Sequence, residues 1–205
     1  MKLTFASQHV AFEVEPVDHA AMKAHPELYP FLQCPRLVDG EYDIVQSNAI
    51  LRYLARKYKL YGKDEHEAIA VDMIMEGVES LRVKYLNLIY QDKLEPEAKA
   101  VYWKTHGDPE TAEGRNGGAH LRHLSRLLAR NTAGAGKAFV GSSLSMADLC
   151  AFDVLDLHSR IFGEELKAAY PDLATFHAHV AALPGVKEYL AGPQRVAAVN
   201  GNSLG

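Results

Sequence analysis

Residues 42–62, with the sequence YDIVQSNAILRYLARKYKLYG, pass from a strand pattern to a helix pattern in one step. Short apolar alternation ends at the polar triplet Gln46-Ser47-Asn48, and apolar residues then recur at helical spacing. Those apolar helix positions are Ile50, Leu51, Leu54 and Tyr58. Upstream, the Asp39-Gly40 turn signal predicts a β-hairpin over residues 34–46. The stretch therefore predicts a hairpin that leads directly into an amphipathic helix, which Ser47 or Asn48 can cap.

The polar triplet also has a chemical interpretation. A helix N-terminus presents unpaired backbone N–H groups and the positive end of the helix dipole. A Gln-Ser pair at that end adds an amide and a hydroxyl, and together these groups can hold a carboxylate. The simpler alternative is that Ser47 or Asn48 is only a helix cap.

The segment before the hairpin predicts one further strand. Residues 9–17 alternate Val10, Phe12 and Val14 before they meet Pro16. After the first helix, the stretch Gly62-Lys63-Asp64-Glu65 predicts a linker with a helix cap.

The remainder of the chain has a helical pattern. Residues 68–90 predict one long amphipathic helix. Its predicted apolar stripe is Ile69, Met73, Val78, Leu81, Tyr85 and Leu88. Shorter helices are predicted over residues 121–128, 173–183 and 186–190, whereas the polar, glycine-rich residues 93–118 receive no assignment. Ser145 and Asp148 form an S-x-x-D helix start signal, a variant of the capping box.

Composition excludes several broad classes. The 205 residues carry a formal net charge of −4 and are 48% hydrophobic, which gives no indication of nucleic-acid or membrane partners. No apolar run is long enough for a transmembrane helix, and the start MKLTFASQHV lacks the apolar core of a signal peptide. The two cysteines are far apart, which suggests free thiols and a cytoplasmic location. The ten histidines show no metal-ligand spacing, so we expect no metal.

Several longer motifs point to a known family. The segments LQCPRLVDGEYDIVQSNAILRYLARKYKLYGKDEHEA, VDMIMEGVESLRVKYLNLIY, FVGSSLSMADLCAFDVLD and VNGNS together resemble the cytosolic glutathione transferases, most closely the pi class. The resemblance implies an α/β plus all-α fold. A thioredoxin-like domain over residues 1–61 would precede an all-helical domain over residues 62–205.

The resemblance also implies a glutathione site. Gln46 and Ser47 match the pair that holds the γ-glutamyl end of glutathione, at the strand-to-helix junction described above. Pro35 matches the cis-proline of the family, and the backbone of Cys34 would pair with the cysteinyl unit. Gln33 belongs to the stretch before that proline. Tyr90 matches the aromatic residue that faces the electrophile, although it could instead be a core aromatic.

A homodimer is implied as well. Phe31 matches an aromatic key that inserts into the partner subunit, where Met73, Ile74 and Gly77 match the lock that receives it. Arg52 and Arg56 would meet Asp72 and Glu76 across the two-fold axis. The alternative is that these charges form a solvated helix face. Because exposed ion pairs contribute little, the aromatic key carries most of this prediction.

Three positions depart from the family pattern. Ser80 stands where the pi class has an acidic residue that reaches glutathione across the dimer, and Glu79 or Glu76 could substitute. The groups that grip the glycyl carboxylate have no clear match, with Lys23 as a possible replacement. Met1 aligns inside the first helix of the family. We therefore expect a thioredoxin-like domain without its first strand and without the tyrosine that activates the glutathione thiol, as in a shortened form of a full enzyme.

The resulting functional prediction is a glutathione transferase that conjugates small hydrophobic electrophiles in detoxification. Glutathione would be its co-substrate, and no cofactor would be bound permanently. One alternative is a non-catalytic relative that binds ligands or partners. A third possibility is a thiol-redox enzyme that uses Cys34, although this residue has no second cysteine nearby in the sequence.

Overall fold

The computed structural model describes residues 1–112 and 119–205. Part of the unassigned segment, residues 113–118, lies outside the described residues. The α-helices in the described ranges are α1 (Lys2–Ser7), α2 (His19–Ala24), α3 (Ser47–Lys57), α4 (Glu65–Tyr90), α5 (Pro96–Tyr102), α6 (His120–Arg130), α7 (Met146–Ala169), α8 (Pro171–Ala181) and α9 (Val186–Ala191). A π-helical turn (Trp103–Gly107) follows α5, and a 3-10 turn (Thr132–Gly134) follows α6. The strands are β1 (Arg36–Asp39) and β2 (Tyr42–Val45).

The predicted β-hairpin is confirmed. β1 and β2 pair antiparallel, with Arg36 opposite Val45 and Asp39 opposite Tyr42. Gly40 occupies the turn at a φ of +61°, a conformation that residues with a side chain rarely adopt. The hairpin accounts for all strand pairing among the described residues, so the thioredoxin-like unit contains a small two-stranded sheet.

The prediction of a strand over residues 9–17 is wrong. The start of this segment instead folds back onto the end of α1, where the Val10 N–H donates to the Phe5 carbonyl at 2.9 Å. Phe12 then stacks on Phe5 with ring centroids 5.1 Å apart, while Val14 is 60% exposed. Alternation alone does not make a strand, since the backbone also needs a neighbouring strand for its hydrogen bonds.

The helix predicted after the polar triplet is confirmed as α3, with Ile50 and Leu54 fully buried. Its cap differs from the prediction. Gln46 is the N-cap residue, Ser47 is the first helical residue, and no side chain closes this end. The chain enters the helix through Gln46 at a φ of +71°, so Ser47 and Asn48 are already inside the first turn.

The long helix α4 starts earlier than predicted. The Asp64 side chain accepts a hydrogen bond from the Glu67 N–H at 3.0 Å and so caps this helix, as the linker sequence predicted. Val78, Leu81, Tyr85 and Leu88 of the predicted stripe are buried, but Ile69 and Met73 are 53% and 67% exposed. These two assignments are wrong because the buried face runs through Val71 and Met75. A residue two positions away along a helix points to nearly the opposite side.

Helix α7 is the centre of the helical packing. Both α4 and α8 pack against it, and the helices predicted near residues 121–128, 173–183 and 186–190 are confirmed as α6, α8 and α9. The helix start signal at Ser145 is confirmed too. The buried Asp148 carboxylate accepts the Ser145 N–H and the Ser145 hydroxyl, each at 2.7 Å. A two-stranded α/β unit is thus followed by an all-helical unit with one continuous core.

Candidate functional site

The hairpin-to-helix junction brings together five of the predicted site residues: Gln33, Cys34, Pro35, Gln46 and Ser47. The Cys34–Pro35 peptide bond is cis, as predicted. The side-chain amide of Gln46 donates to the Gln33 side-chain carbonyl at 3.1 Å. Gln33, Gln46 and Ser47 are exposed, so their polar groups are available to a ligand.

The N-terminus of α3 is suited to an anion. Its cap residue makes no side-chain hydrogen bond, and the first turn contains no acidic residue. The first N–H groups of a helix have no partner within the helix, and the helix dipole adds positive potential there. The amide of Gln46 and the hydroxyl of Ser47 lie at the same end. A ligand carboxylate could therefore be held by backbone and side-chain donors together.

The backbone of Gln46 is strained. A φ of +71° with a ψ of 120° is rare for a residue with a side chain and costs about 1–3 kcal/mol. Such strain persists only where the surrounding structure holds it, and it is found often at ligand sites. Here β2 on one side and α3 on the other hold the residue, which turns its side chain toward Gln33.

A cleft of about 650 Å³ opens beside this junction. Cys34 and Pro35 line it from the α/β unit, and Tyr85 and Tyr90 line it from α4. Because Gln33 precedes Cys34 directly and contacts Gln46, the junction and the cleft are adjacent parts of one site. The cleft is large enough for a small ligand beside the junction.

Tyr90 lies in this cleft and is 44% exposed, so it is not a core aromatic. Its hydroxyl accepts the Gly201 N–H at 2.9 Å. Next to it, the Asn200 amide donates to the Tyr85 hydroxyl at 2.9 Å, and burial raises the pKa of Tyr85. The chain's C-terminal segment is thus held against α4 and forms one wall of the cleft.

The sequence prediction missed the charged residues of the cleft. Arg82, Arg160 and Arg195 line it together with Asp153 and Asp156. The Asp156 and Arg160 pair was visible in the sequence as an i, i+4 pair on a helix. Arg195 gave no such signal, because it reaches Asp156 from a segment 39 residues away.

The predicted dimer residues fall into two groups. Phe31, Met73 and Gly77 are exposed, as a surface key and lock require. The prediction that Ile74 belongs to the dimer surface is wrong. Ile74 is only 4% exposed and faces the core, because it lies on the same side of α4 as Val71 and Val78.

One of the two predicted arginines forms the predicted ion pairs, and it does so within one chain. Arg52 donates to Asp72 at 2.7 Å and also pairs with Glu76. Tyr61 donates to Asp72 at 2.6 Å. The Arg56 guanidinium instead lies 4.9 Å from the centre of the Tyr61 ring. A role of this cluster between subunits stays a prediction.

In residues 1–112 and 119–205, no group of three or more His, Cys, Asp or Glu side chains is arranged to hold a metal ion. Within the same ranges, every helix is too short or too polar to cross a lipid bilayer.

The structure combines a two-stranded thioredoxin-like unit that has a cis-proline loop with an all-helical unit that follows it. Comparison with known families identifies both units. Residues 1–56 match the model of the glutathione S-transferase N-terminal domain, and residues 81–193 match that of the C-terminal domain. The chain belongs to the glutathione S-transferase family, and by family it is an enzyme, a transferase.

Individual relatives give the same result. Glutathione S-transferase P of Capra hircus is 38% identical over 175 residues, which cover 83% of this chain and 74% of the goat protein. Glutathione S-transferase 2 of Onchocerca volvulus is 35% identical over 206 residues, which cover 98% of this chain and 91% of the relative. The solved structure of the Onchocerca volvulus pi-class enzyme superposes with a TM-score of 0.81 at 33% identity, covering 100% of this chain and 92% of that one.

A more distant structure shows the fold alone. The glutathione S-transferase from Ascaris lumbricoides superposes with a TM-score of 0.70 at 23% identity, covering 93% of this chain and 88% of that one.

Proposed function

We propose that this protein is a pi-class glutathione transferase that joins the sulfur of glutathione to small hydrophobic electrophiles. The observation that carries the proposal is the open N-terminus of α3 at Gln46 and Ser47, adjacent to a cleft of about 650 Å³. Glutathione is the co-substrate, and no permanently bound cofactor is part of the proposal.

Each predicted residue has a role in this proposal. Gln46, Ser47 and the first N–H groups of α3 hold the γ-glutamyl carboxylate, with Gln33 orienting Gln46. The backbone of Cys34 pairs with the cysteinyl unit, so the sulfur points into the cleft that Cys34 and Pro35 line. The electrophile lies beside Tyr90. The sulfur then forms a C–S bond with the electrophilic carbon while the leaving group departs with its electron pair, and the thiol proton is released.

The direct test is the rate of glutathione conjugation to 1-chloro-2,4-dinitrobenzene, followed by absorbance of the thioether product. We expect a rate that saturates in glutathione and exceeds the uncatalysed rate. A rate equal to the uncatalysed reaction, measured on folded protein, would contradict the proposal.

Substitution Ser47→Ala tests the glutathione site. Hydrogen bonds to charged groups contribute about 1.5–3 kcal/mol, so we expect KM for glutathione to rise by roughly 10-fold or more. We expect kcat to change little, because the contact exists in both ground and transition states. Ser143→Ala, at another exposed serine, is the control. A KM in Ser47→Ala equal to that of the control would remove Ser47 from the site.

We further propose that the protein is a homodimer. Phe31 and Met73 are 62% and 67% exposed, and exposed apolar groups of this size favour an interface. Gly77 next to Met73 leaves room for an inserted ring, since nothing lies within 4 Å of a Cβ placed there. The Arg52, Arg56, Asp72 and Glu76 cluster would form the polar rim.

Substitution Met73→Asp is expected to convert a dimer into a monomer at micromolar concentration, because it buries a carboxylate in an apolar contact. Sedimentation velocity measures the mass. Val101→Asp is the control, since Val101 is 65% exposed on α5, away from the proposed interface. If both variants remain dimeric, the interface lies elsewhere.

The proposal has three further parts. Conjugation of glutathione to hydrophobic electrophiles would serve detoxification, and we propose that it takes place in the cytoplasm. We place the domain boundary between residues 61 and 62, in the linker before the Asp64 cap of α4.

A further inference from the structure

The cleft has an excess of positive charge. Lys2, Arg82, Arg160 and Arg195 line it, against the two carboxylates Asp153 and Asp156. Arg82 is neutralised locally, since it pairs with Asp153 at 2.7 Å and with Glu79 at 3.4 Å. The excess charge of the partly buried arginines is therefore concentrated around Asp156.

Asp156 is the centre of a four-residue charged cluster. Arg195 donates to one of its carboxylate oxygens at 2.5 Å, and the Arg160 side chain lies 3.5 Å from the same oxygen. His177 lies 3.3 Å from the other oxygen. All four side chains are only 20–25% exposed. One carboxylate thus faces two permanent cations, so the cluster carries a net positive charge at every pH at which Asp156 is ionised.

The cluster holds Asp156 in its ionised form. Burial alone would raise the pKa of Asp156, but the hydrogen bond with His177 and the charges of Arg195 and Arg160 lower it. Deprotonation of the cations does not remove the surplus either, because arginine side chains keep their charge throughout the physiological range. The surplus charge is therefore a permanent property of this wall of the cleft.

One donor of the cluster forms an ion pair but no hydrogen bond. The Nε of Arg160 is buried and makes no hydrogen bond to any described residue, since 3.5 Å to Asp156 is an ion-pair distance at the limit of hydrogen bonding. Another nitrogen of the same guanidinium donates to the Ala197 carbonyl at 2.8 Å, which holds the side chain in place. The Arg160 guanidinium is therefore held only loosely by Asp156, and it lines the cleft, where an anion would be a second partner for its charge.

Apolar and aromatic surface lies next to this charge. Leu157, Leu190 and Val196 line the cleft with Tyr90. A ligand that fits both surfaces has a hydrophobic body and one anionic substituent.

We propose that Arg160 and Arg195 select electrophiles that carry a carboxylate, with the hydrophobic body against Tyr90, Leu157 and Val196. The inference rests on the proposed conjugation activity and names its preferred substrate class. The two arginines bind the substituent and take no part in the bond changes, so they are specificity-determining residues.

A matched pair of electrophiles tests the preference. 4-Chloro-3,5-dinitrobenzoate and its carboxamide both react by attack of the glutathione sulfur on the carbon that bears chlorine, with loss of chloride. Each kcat/KM is divided by the uncatalysed second-order rate constant of the same compound. We expect this normalised value to be at least about 10-fold higher for the carboxylate than for the carboxamide, because one charge-assisted hydrogen bond contributes free energy of that size. We also expect the preference to decrease as salt is added.

Three variants locate the source of the preference. In Arg195→Gln and in Arg160→Gln the cluster becomes neutral, and the carboxylate preference should fall to about 1, a loss of roughly 10-fold. Arg195→Lys keeps the charge and should retain most of it. Arg130→Gln removes the same charge from an exposed position on α6 and should change nothing. A wild-type preference near 1, or an equal loss in Arg130→Gln, would overturn the inference.

Equilibrium binding separates this inference from the proposed activity. 4-Methyl-3,5-dinitrobenzoate and its carboxamide have no leaving group, and calorimetry measures their Kd values without catalysis. If neither chloro compound reacts, the proposed activity fails. Tighter binding of the methyl carboxylate, weakened by Arg195→Gln, would then still support the anion preference, whereas equal Kd values for the two methyl compounds would overturn it.

Discussion

Replacing Asp148 with alanine is expected to lower the unfolding free energy by about 3 kcal/mol or more, because two buried N–H groups and a hydroxyl lose their acceptor. Asp148 is fully buried. Its carboxylate accepts the Phe139 N–H at 2.6 Å as well as both donors of Ser145. It therefore joins the loop before α7 to the first turn of that helix, against which α4 and α8 pack.

The measurement is urea unfolding followed by circular dichroism. Asp64→Ala is the matched control, since Asp64 caps α4 through a single hydrogen bond at an exposed position and its loss costs about 1 kcal/mol. Asp148→Asn retains an acceptor oxygen and should fall between wild type and Asp148→Ala. If Asp148→Ala lost no more stability than Asp64→Ala, the buried network would not be a main source of stability.

Lowering the pH from 7 to 4.5 is expected to cost about 2–3 kcal/mol of stability through His158 alone. This side chain is 1% exposed, and burial lowers its pKa to about 4. Its Nδ1 lies 2.7 Å from the Val154 carbonyl, which can only accept, so Nδ1 carries the proton and Nε2 accepts the Tyr102 hydroxyl at 2.7 Å. Both nitrogens are thus engaged in the neutral form.

The direction in which stability changes with pH follows from proton binding. Unfolded histidine takes up a proton near pH 6.5, whereas folded His158 takes it up only near pH 4. Between these values the unfolded state binds more protons, so stability is fully present above pH 6.5 and is lost as the pH falls toward 4.

The experiment compares wild type with His158→Gln, whose amide retains a donor and an acceptor without titrating. The difference in pH dependence between the two proteins isolates His158 from groups that act in the same range. Asp148 is one such group, because burial raises its pKa to about 6. His66→Gln, at an exposed position of α4, should keep the wild-type acid sensitivity. An unchanged pH dependence in His158→Gln would show that the ring titrates normally.

Elements defined by neighbouring residues were predictable. The Asp39-Gly40 turn, the helix after the polar triplet and the Ser145–Asp148 start signal each depend on hydrogen bonds that span a few residues. The family resemblance added Gln33, Cys34 and Pro35 to the predicted site. Periodicity alone could not predict that Gln33 contacts Gln46.

Contacts between distant segments were not predictable. Ile69 and Met73 fit the helical stripe in the sequence, yet they are exposed because α7 packs on the side of α4 that carries Val71 and Val78. Residues 9–17 alternate like a strand, but within residues 1–112 and 119–205 no strand lies beside them. Arg195 meets Asp156 only because the C-terminal segment folds back over α7 and α4.

The hairpin, the helix after the polar triplet and the all-helical character of the larger part of this protein were readable from the amino-acid sequence. These features follow from turn chemistry and periodicity, which act over a few residues. The buried face of α4 and the charges around the cleft became visible only in the folded chain. Those features depend on packing and on electrostatic contacts between segments that are far apart in the chain, for which a local pattern carries no signal.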